Sequence, residues 1–243
     1  MNNLMKVYPH VSVDCVVFGW EENHLSVLLV ERSGKDVHNP QQHNFKLPGS
    51  LIYADEGLDD AAHRVLKELT GITKLPLKQY KSFGNPQRIN NDKDILWLEN
   101  AFNLKIGRIV TVAYISLCKI DRQLNKDLEK YNSAQWIPVD QIPELPFDHN
   151  QIVNEARNEI SEWVNREPSI IFELLPLKFT ATQLRTLYEV ILNTRLDVRN
   201  FYKRIAVTDY IIPLEEKEKK VSHRAARYYK FSRTIYNKNK QKI

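Results

Sequence analysis

Two carboxylates, one before and one inside a short amphipathic segment, stand out in the first third of the chain. Glu56 precedes the segment, Glu68 lies within it, and Arg64 stands between them in the sequence. Carboxylate oxygens are the ligands that hard divalent cations such as Mg²⁺ prefer. A cation held in this way can polarise a phosphate or activate water. These residues are therefore the first candidates for metal-assisted hydrolysis.

Residues 47–72 resemble the Nudix box without a gap. With Ser50 at the position of the box's first Gly, the residues that fall in register are Glu56, Arg64, Leu66, Glu68, Gly71 and Ile72. Residues 136–142 are similar to the segment that leads into the last Nudix helix, so the resemblance extends over most of residues 8–165. It implies a Nudix-like α/β/α sandwich.

Two of the carboxylates that the Nudix pattern requires are missing from this sequence. Active Nudix hydrolases hold divalent cations with carboxylates at positions 65, 68 and 69, which lie within about 100° of one another on a helix. Here these positions are Val65, Glu68 and Leu69, and neither Val nor Leu offers an oxygen ligand. Ser50 at the Gly position and Tyr53 where Glu is common are further departures. We therefore expect no catalytic residues, no metal and no cofactor.

Hydrophobic periodicity predicts the elements that position this segment. Alternating and apolar runs predict neighbouring strands over residues 11–19 and 25–30, followed by a polar loop over residues 33–44. Apolar residues at helical spacing predict a helix from Leu58 to Thr70, which Gly71 ends. Further predictions are a strand over residues 109–120 and a helix over residues 150–164.

Charge divides the chain of 243 residues into two parts. Residues 1–165 carry 18 basic and 22 acidic side chains, whereas residues 166–243 carry 17 basic and 8 acidic ones, a net charge of +9. Such asymmetry indicates that the second part meets a polyanion. We therefore predict an α+β protein with a Nudix-like effector-sensing domain over residues 1–165 and a DNA-binding domain over residues 166–243.

The second part begins with the pattern of a helix-turn-helix. Residues 180–183, Thr-Ala-Thr-Gln, have the form of a capping box at a helix start. Asp197 is then predicted to cap a second helix over residues 198–205. Its apolar residues recur at i, i+3, i+4 and i+7 and are expected to share a buried face: Val198, Phe201, Tyr202 and Ile205.

The opposite face of this second helix, an arc of about 140°, carries cations and an amide. Arg and Asn can bond base edges in the major groove, and Lys can bond phosphates. The predicted DNA contacts on and beside the two helices are Thr182, Arg195, Arg199, Asn200, Lys203 and Arg204.

A hairpin is predicted to follow the second helix. Strands are expected over residues 207–213 and 228–232, around a charged tip at residues 215–220. Near this tip, sugar-phosphate or minor-groove contacts are predicted for His223, Arg224 and Arg227. The result is a winged helix-turn-helix.

A Nudix-like domain followed by a winged helix-turn-helix resembles the Nudix-related transcriptional regulators, whose C-terminal pattern residues 179–231 fit. The resemblance implies a homodimer that binds double-stranded operator DNA and is released or repositioned when a metabolite binds the Nudix domain. One branch of the family senses ADP-ribose, and others control sugar utilisation. The sequence resembles the arabinose-responsive branch most, which implies a repressor with L-arabinose as its effector.

A neutral sugar would need aromatic surfaces for stacking and polar groups for its hydroxyls. The aromatic candidates near the expected cleft, each of which also suits a core position, are Phe18, Trp20, Phe45, Tyr53, Phe83 and Trp97. The polar candidates are Glu56, Glu68, Asn85, Arg88 and Glu99.

Two other functional classes remain open. The chain could be a residual Nudix hydrolase, acting on ADP-ribose or a nucleotide sugar, with an appended nucleic-acid-binding module. It could also be a non-catalytic protein whose basic domain docks on an acidic partner. No apolar run reaches the roughly 18 residues of a membrane span, and no signal-peptide pattern follows Met1. We therefore expect a cytoplasmic protein with no membrane partner.

Overall fold

The computed structural model describes residues 7–21, 23–32, 44–89, 91–129, 134–219 and 225–241. By its contacts the chain forms two compact units. The first comprises Met1–Gly19 and Ser26–Glu159, and the second comprises Trp20–Leu25 and Ile160–Ile243. Among the described residues, no helix has the length and apolar character that crossing a membrane requires.

Within the ranges that the structure describes, seven strands and four helices, all before residue 167, form the Nudix-like sandwich. The strands are β1 (Val7–Glu21), β2 (His24–Glu31), β3 (Phe45–Lys46), β4 (Gly49–Tyr53), β5 (Lys78–Phe83), β6 (Val110–Lys119) and β7 (Ala134–Pro138). The helices are α1 (Leu58–Thr70), α2 (Asp92–Phe102), α3 (Arg122–Glu129) and α4 (His149–Arg166). The strands form one sheet in the order β3-β2-β1-β6-β5, with β4 also paired to β1 and β7 to β2.

Successive side chains of β1 point toward helices on opposite faces of the sheet. Cys15 faces α1, where its thiol lies 3.7 Å from the carbonyl oxygen of Ala62. Asp14 points the other way, and one of its oxygens lies 3.5 Å from Nε2 of His149 at the start of α4. Because successive side chains of a strand point to opposite faces, α1 and α4 cover opposite faces of β1. This arrangement confirms the predicted α/β/α sandwich.

Helix α1 has the predicted bounds because both of its ends are specified locally. Asp59 and Asp60 lie in the first turn, where acidic groups favour the helix dipole. Gly71 ends the helix in the left-handed conformation, at φ 75°, which glycine adopts without a Cβ clash. Between them the apolar positions, Val65 and Leu66 included, are buried against β1 and β6.

Other elements differ from the sequence-based prediction. Strand β1 is longer than expected, and α4 begins at His149 rather than residue 150. The elements of this unit that were not predicted are β3, β4, β5, β7, α2 and α3. Helix α2 is capped by Asn91, whose side chain accepts a hydrogen bond from the N–H of Lys93. The residue that follows the helix, Asn103, takes the left-handed conformation, at φ 51°.

The second unit is a small winged helix. A 3₁₀ helix (Pro168–Glu173) comes first, followed by β8 (Phe179–Thr180), α5 (Ala181–Leu192), α6 (Val198–Val207), β9 (Ile211–Lys217), β10 (Arg227–Phe231) and α7 (Arg233–Lys240). The three strands form an antiparallel sheet in the order β8-β10-β9. The 3₁₀ helix packs on the sheet by aromatic stacking, because the rings of Phe172 and of Phe231 in β10 lie parallel at 4.1 Å.

Both predicted caps are present. Thr180 accepts a hydrogen bond from the N–H of Gln183, and the Gln183 side chain accepts one from the N–H of Thr180, which completes the capping box of α5. Asp197 caps α6 by accepting a hydrogen bond from the N–H of Asn200 at 2.8 Å.

The predicted strand over residues 207–213 is wrong in its first half. Val207 is the last residue of α6, and β9 begins only at Ile211. The hydroxyl of Thr208 donates to the carbonyl oxygen of Arg204, which satisfies an open acceptor of the last helical turn. The predicted charged tip begins too early as well, because β9 continues to Lys217, which pairs with Arg227.

The capping box gives a stability prediction. Thr180→Ala removes the side-chain acceptor at the start of α5 and should destabilise the winged helix by about 0.5–2 kcal/mol. Amide hydrogen exchange in α5 measures the change, and α1 of the first unit serves as the internal reference. Thr180→Ser keeps the hydroxyl and should exchange nearly as slowly as the parent protein. Equal exchange rates in Thr180→Ala and the parent would contradict this role.

Candidate functional site

The Nudix-like unit contains a pocket of about 210 Å³ that is partly open to solvent. It lies between β1, β4, α1, α2 and the start of α4, and it combines buried charges with an apolar wall. Its polar lining residues are Ser12, Asp14, Glu31, Lys46, Ser50, Glu68, Arg88 and His149. Its apolar lining includes Leu51, Val65, Leu69, Ile89, Trp97, Leu98, Ala101, Phe102, Ile109 and Phe147.

Buried charges are held in a connected cluster at one side of the pocket. Arg88, whose side chain is 4% exposed, donates two hydrogen bonds to Asp148, at 3.0 and 2.7 Å. Its guanidinium also lies 3.7 Å from Asp14, and Asp14 accepts a hydrogen bond of 2.7 Å from the hydroxyl of Thr111. A buried charge is stable only when it is paired and hydrogen-bonded. The cluster satisfies this condition and leaves polar atoms at the pocket surface.

His149 completes the cluster in its neutral form. Its Nδ1 accepts a hydrogen bond from the N–H of Leu47 at 3.2 Å, so the ring proton lies on Nε2, which faces Asp14 at 3.5 Å. Burial lowers the pKa of His149 to about 4, against the opposing effect of Asp14. The imidazole N–H therefore presents a neutral donor beside a carboxylate acceptor.

Lys46 adds a cation whose charge is weakened by burial. Its ammonium donates to the carbonyl oxygens of Leu47 and Gly49, at 3.1 and 2.8 Å. Burial lowers the pKa of Lys46 to about 8. Gly49 is required beside this cluster, because a Cβ at that position would lie 1.9 Å from an oxygen of Asp14.

Aromatic side chains line a second part of the pocket. Trp97 comes from α2, and Phe147 comes from the segment before α4. The guanidinium of Arg32 lies over the Trp97 ring at 4.3 Å and the Phe147 ring at 5.7 Å. Arg32 is itself paired with Asp94 on α2 at 2.5 Å. These contacts fix the orientation of the Trp97 ring, one face of which is covered by Arg32.

The helix face that would carry metal ligands is apolar in this protein. Val65 and Leu69 line the pocket beside Glu68, as their spacing predicts. Glu56 is occupied by Arg64, which donates to both of its oxygens at 2.8 and 2.5 Å.

The same Arg64 also bonds Glu68, at 3.1 Å. Although burial raises the pKa of Glu56, hydrogen bonds from Arg64 and from the N–H of Tyr53 outweigh it, and the pKa is lowered. In the part of the chain that the structure describes, no group of three His, Cys, Asp or Glu residues could hold a metal ion. The donor set does not fit the divalent cations of Nudix hydrolysis.

The pocket contains three of the residues that the sequence suggested for effector binding: Glu68, Arg88 and Trp97. The other suggested residues do not line it: Phe18, Trp20, Phe45, Tyr53, Glu56, Phe83, Asn85 and Glu99. Phe18, Trp20, Phe45 and Phe83 belong to the buried core. Tyr53 instead stacks on the guanidinium of Arg64 at 3.9 Å.

The side chains of Asn85 and Glu99 bond backbone groups that lie close to them in the sequence. The Asn85 side chain accepts from the N–H of Gln87, and the Glu99 side chain accepts from the N–H of Ile106.

Sequence reasoning missed Asp14, Lys46, Phe147 and His149. A signal was present for Asp14, because it is a charged residue inside an otherwise apolar strand. Such a residue must find partners or a ligand. No comparable local signal marks Phe147 or His149, which become pocket residues only through the packing of α4.

The candidate DNA-binding surface is helix α6, and it is more exposed than predicted. Only Phe201 and Ile205 are buried within it. Val198 and Tyr202, which were predicted on the buried face, are 50% and 42% exposed. The helix contacts α5 through Phe201, whose ring meets that of Tyr188 edge-on at 6.1 Å. Because this contact is narrow, most of the circumference of α6 faces outward.

The predicted DNA contacts of α6, three basic residues and one amide, are exposed: Arg199, Asn200, Lys203 and Arg204. Thr182 lies at the start of α5 with its hydroxyl 3.4 Å from that of Tyr202, and Arg195 lies exposed in the turn between the helices. Arg227 is exposed at the start of β10. His223 and Arg224 lie outside the described residues.

Comparison with known families agrees with this two-part description. The NUDIX domain profile matches residues 8–163. The chain belongs to the Nudix family. The profile of the NrtR DNA-binding winged helix domain matches residues 171–231, so the chain combines a Nudix domain with a DNA-binding winged helix.

Full-length relatives share this combination. The chain is 27% identical over 235 residues to a protein of Acinetobacter baylyi named as an ADPR responsive transcriptional repressor, covering 95% of this chain and 85% of that one. It superimposes with a TM-score of 0.64 on the crystal structure of Shewanella oneidensis NrtR complexed with a 27mer DNA, at 26% identity, covering 91% of this chain and 93% of that one.

A second kind of relative is an enzyme. The chain is 24% identical over 149 residues to an ADP-ribose pyrophosphatase of Methanocaldococcus jannaschii, covering 61% of this chain and 73% of that one. A match of 149 residues is too short to cover both the Nudix domain and the winged helix of this chain.

The buried His149 predicts a pH dependence of stability. Its pKa in the fold, about 4, lies below the ordinary value of 6.5, so the unfolded chain binds the proton more readily. Stability should therefore fall as the pH drops from about 6.5 to about 4, by up to roughly 3 kcal/mol from this group.

Urea unfolding followed by tryptophan fluorescence measures the effect, because all four tryptophans precede residue 164. His149→Asn, whose amide oxygen can accept the Leu47 N–H, is the matched control and should lack this contribution. The same acid sensitivity in both proteins would show that other groups cause it.

Proposed function

We propose that this DNA-binding transcriptional repressor of the Nudix family binds a small neutral sugar in its Nudix pocket, and that binding releases it from operator DNA. The observation that carries the proposal is the pocket, whose lining combines the buried Asp14, Arg88 and His149 with the Trp97 ring. Arg and Asp side chains bond vicinal hydroxyls, and an aromatic ring stacks on the apolar face of a sugar. L-arabinose, a pentose with several hydroxyls and no charge, has this chemistry.

The pocket's size favours a monosaccharide. Its volume of about 210 Å³ lies below the roughly 300–1,000 Å³ of pockets for drug-sized ligands. ADP-ribose contains an adenine, two riboses and a diphosphate, and would need space beyond these walls.

The pocket's charge also favours a neutral ligand. Its lining carries the acidic Asp14, Glu31 and Glu68 against the basic Lys46 and Arg88. Arg88 is already neutralised by Asp148 and Glu68 is paired with Arg64, so the lining offers a diphosphate no excess of positive charge. The ADP-ribose response named for the Acinetobacter relative therefore need not hold for this chain.

Loss of hydrolysis follows from the same arrangement. With Val65 and Leu69 on the metal-facing side of α1, and Glu56 paired with Arg64, the cations that would activate water and the diphosphate lack their ligands. The domain is proposed to act as a sensor and not as an enzyme.

The rest of the proposal concerns the assembly. The sensor domain is assigned to residues 1–165 and the DNA-binding domain to residues 166–243. We propose that the regulator binds as a homodimer, because operators are commonly palindromic and match a two-fold symmetric protein. Its targets would be genes for sugar utilisation.

A residual hydrolase is the second candidate. Its support is the retention of Glu56 and Glu68 together with the ADP-ribose pyrophosphatase relative. Mg²⁺-dependent turnover of ADP-ribose that is lost in Glu68→Gln would favour it over the sensor.

Calorimetric titration of the full chain tests the effector. L-arabinose should bind, and Trp97→Ala should weaken binding at least about tenfold, because stacking on an aromatic ring contributes roughly 0.5–1.5 kcal/mol beyond the apolar area that it buries. Leu96→Ala is the matched control, since Leu96 is the neighbouring residue of α2, is 59% exposed and does not line the pocket. Binding of ADP-ribose with no binding of L-arabinose would refute the sugar effector.

Substitutions on α6 test the DNA contacts. Arg199→Ala and Asn200→Ala should each weaken specific binding by about 1–3 kcal/mol and relax the preference at one base pair, because both side chains can bond base edges. Lys203→Ala should weaken binding to all sequences alike and reduce the salt dependence. Fluorescence anisotropy at two salt concentrations, with operator and unrelated duplexes, distinguishes the two outcomes. An equal loss on all sequences for every variant would contradict the assignment of Arg199 and Asn200.

A further inference from the structure

Helix α6 exposes apolar side chains that its packing does not use. Val207 is 84% exposed, Val198 is 50% exposed and Tyr202 is 42% exposed. The helix is held to the domain by Phe201 and Ile205, which are 6% and 5% exposed. The exposed apolar residues therefore contribute little to the stability of the winged helix.

These residues are ordered along the helix. At about 100° per residue, Val198, Tyr202 and Ala206 follow one another at i, i+4 and i+8 and form an apolar stripe. A second stripe, with Arg199, Lys203 and Val207, runs beside it. Lys203 lies directly opposite the two buried residues, so the second stripe faces outward, whereas the first stripe borders the buried side at Val198 and turns outward through Tyr202 to Ala206.

Charge complementarity indicates what covers this side. Among the described residues, Arg199, Lys203 and Arg204 form no ion pair with a carboxylate. Residues 166–243 carry a net charge of +9, which favours a polyanion over an acidic patch of limited size. Within duplex DNA, the apolar group exposed in the major groove is the 5-methyl of thymine.

We propose that α6 reads thymine methyl groups through its apolar stripe and Val207, while the neighbouring cations hold phosphates and base edges. This inference rests on the proposed function, because it requires that α6 enters the major groove. It adds a specificity that Arg199 and Asn200 alone do not provide, a preference for T·A pairs beneath Val207 and Tyr202. The partner is thus a duplex with thymines at defined positions of each half-site.

The test removes methyl groups from the DNA instead of atoms from the protein. An operator is first selected from random duplexes with the full chain, and each thymine is then replaced in turn by deoxyuridine, which keeps the hydrogen-bonding pattern. At one or more positions the parent protein should bind about three- to fivefold more weakly, the effect expected for one buried methyl group. Val207→Ala should bind the thymine operator more weakly and lose the uracil penalty at its position.

The controls separate this contact from general effects. Leu177→Ala changes an exposed apolar residue, 81% exposed, that lies outside α6, and it should leave every uracil penalty intact. Lys203→Gln should weaken binding to both operators equally. Alanine favours the helical conformation, so Val207→Ala is expected to fold. Circular dichroism and the association state verify this.

Three outcomes would overturn the inference. If the parent protein binds the thymine and uracil operators equally at every position, methyl groups are not read, although the proposed DNA-binding function stands. If Val207→Ala alters self-association while the uracil penalties persist, the exposed valine belongs to a protein interface. If no sequence is selected from random DNA, the inference and the proposed function fail together.

Discussion

The pocket depends on one buried guanidinium. Arg88 is almost fully removed from water, and a charge in that position is tolerated only with carboxylates against it. Its two hydrogen bonds to Asp148 attach the segment before α2 to the start of α4, and its approach to Asp14 attaches both to β1. The geometry of the pocket is therefore a consequence of electrostatic compensation.

The same compensation holds the other polar side chains of the pocket in place. Asp14 is held by Thr111 and faces the neutral His149, whose own position is fixed by the backbone of Leu47. Each of these side chains has a partner on the protein side, so the cluster is held in one arrangement. Under the proposed sensing role, a preorganised polar cluster of this kind would bind a ligand with little reorganisation of its own groups.

The helix face at which active Nudix hydrolases carry metal ligands is part of the same pocket wall. Arg64 bonds both carboxylates that match the Nudix pattern, Glu56 and Glu68, and stacks on Tyr53. Val65 and Leu69 extend the apolar lining beside Glu68. Without carboxylates at these two positions, this face needs no cation to relieve repulsion between neighbouring acids.

Sequence patterns predicted what is determined locally. The bounds of α1 and the caps of α5 and α6 follow from residues within one turn of each helix end. The pocket residues could not be predicted in this way, because Asp14 and His149 are far apart in the sequence and meet only when α4 packs on the sheet. The same reason explains why Phe18 and Phe83, aromatic residues suggested for the cleft, lie in the core.

The error on α6 has a different origin, and it bears on function. Periodicity assigned Val198 and Tyr202 to a buried face because apolar residues at helical spacing usually pack. In a helix that meets its domain through only Phe201 and Ile205, the same spacing leaves an apolar stripe outside. Because only Phe201 and Ile205 are buried, substitutions at the other positions of α6 should have little effect on folding. If α6 reads DNA as proposed, its sequence preference can change without a change in the stability of the domain that carries it.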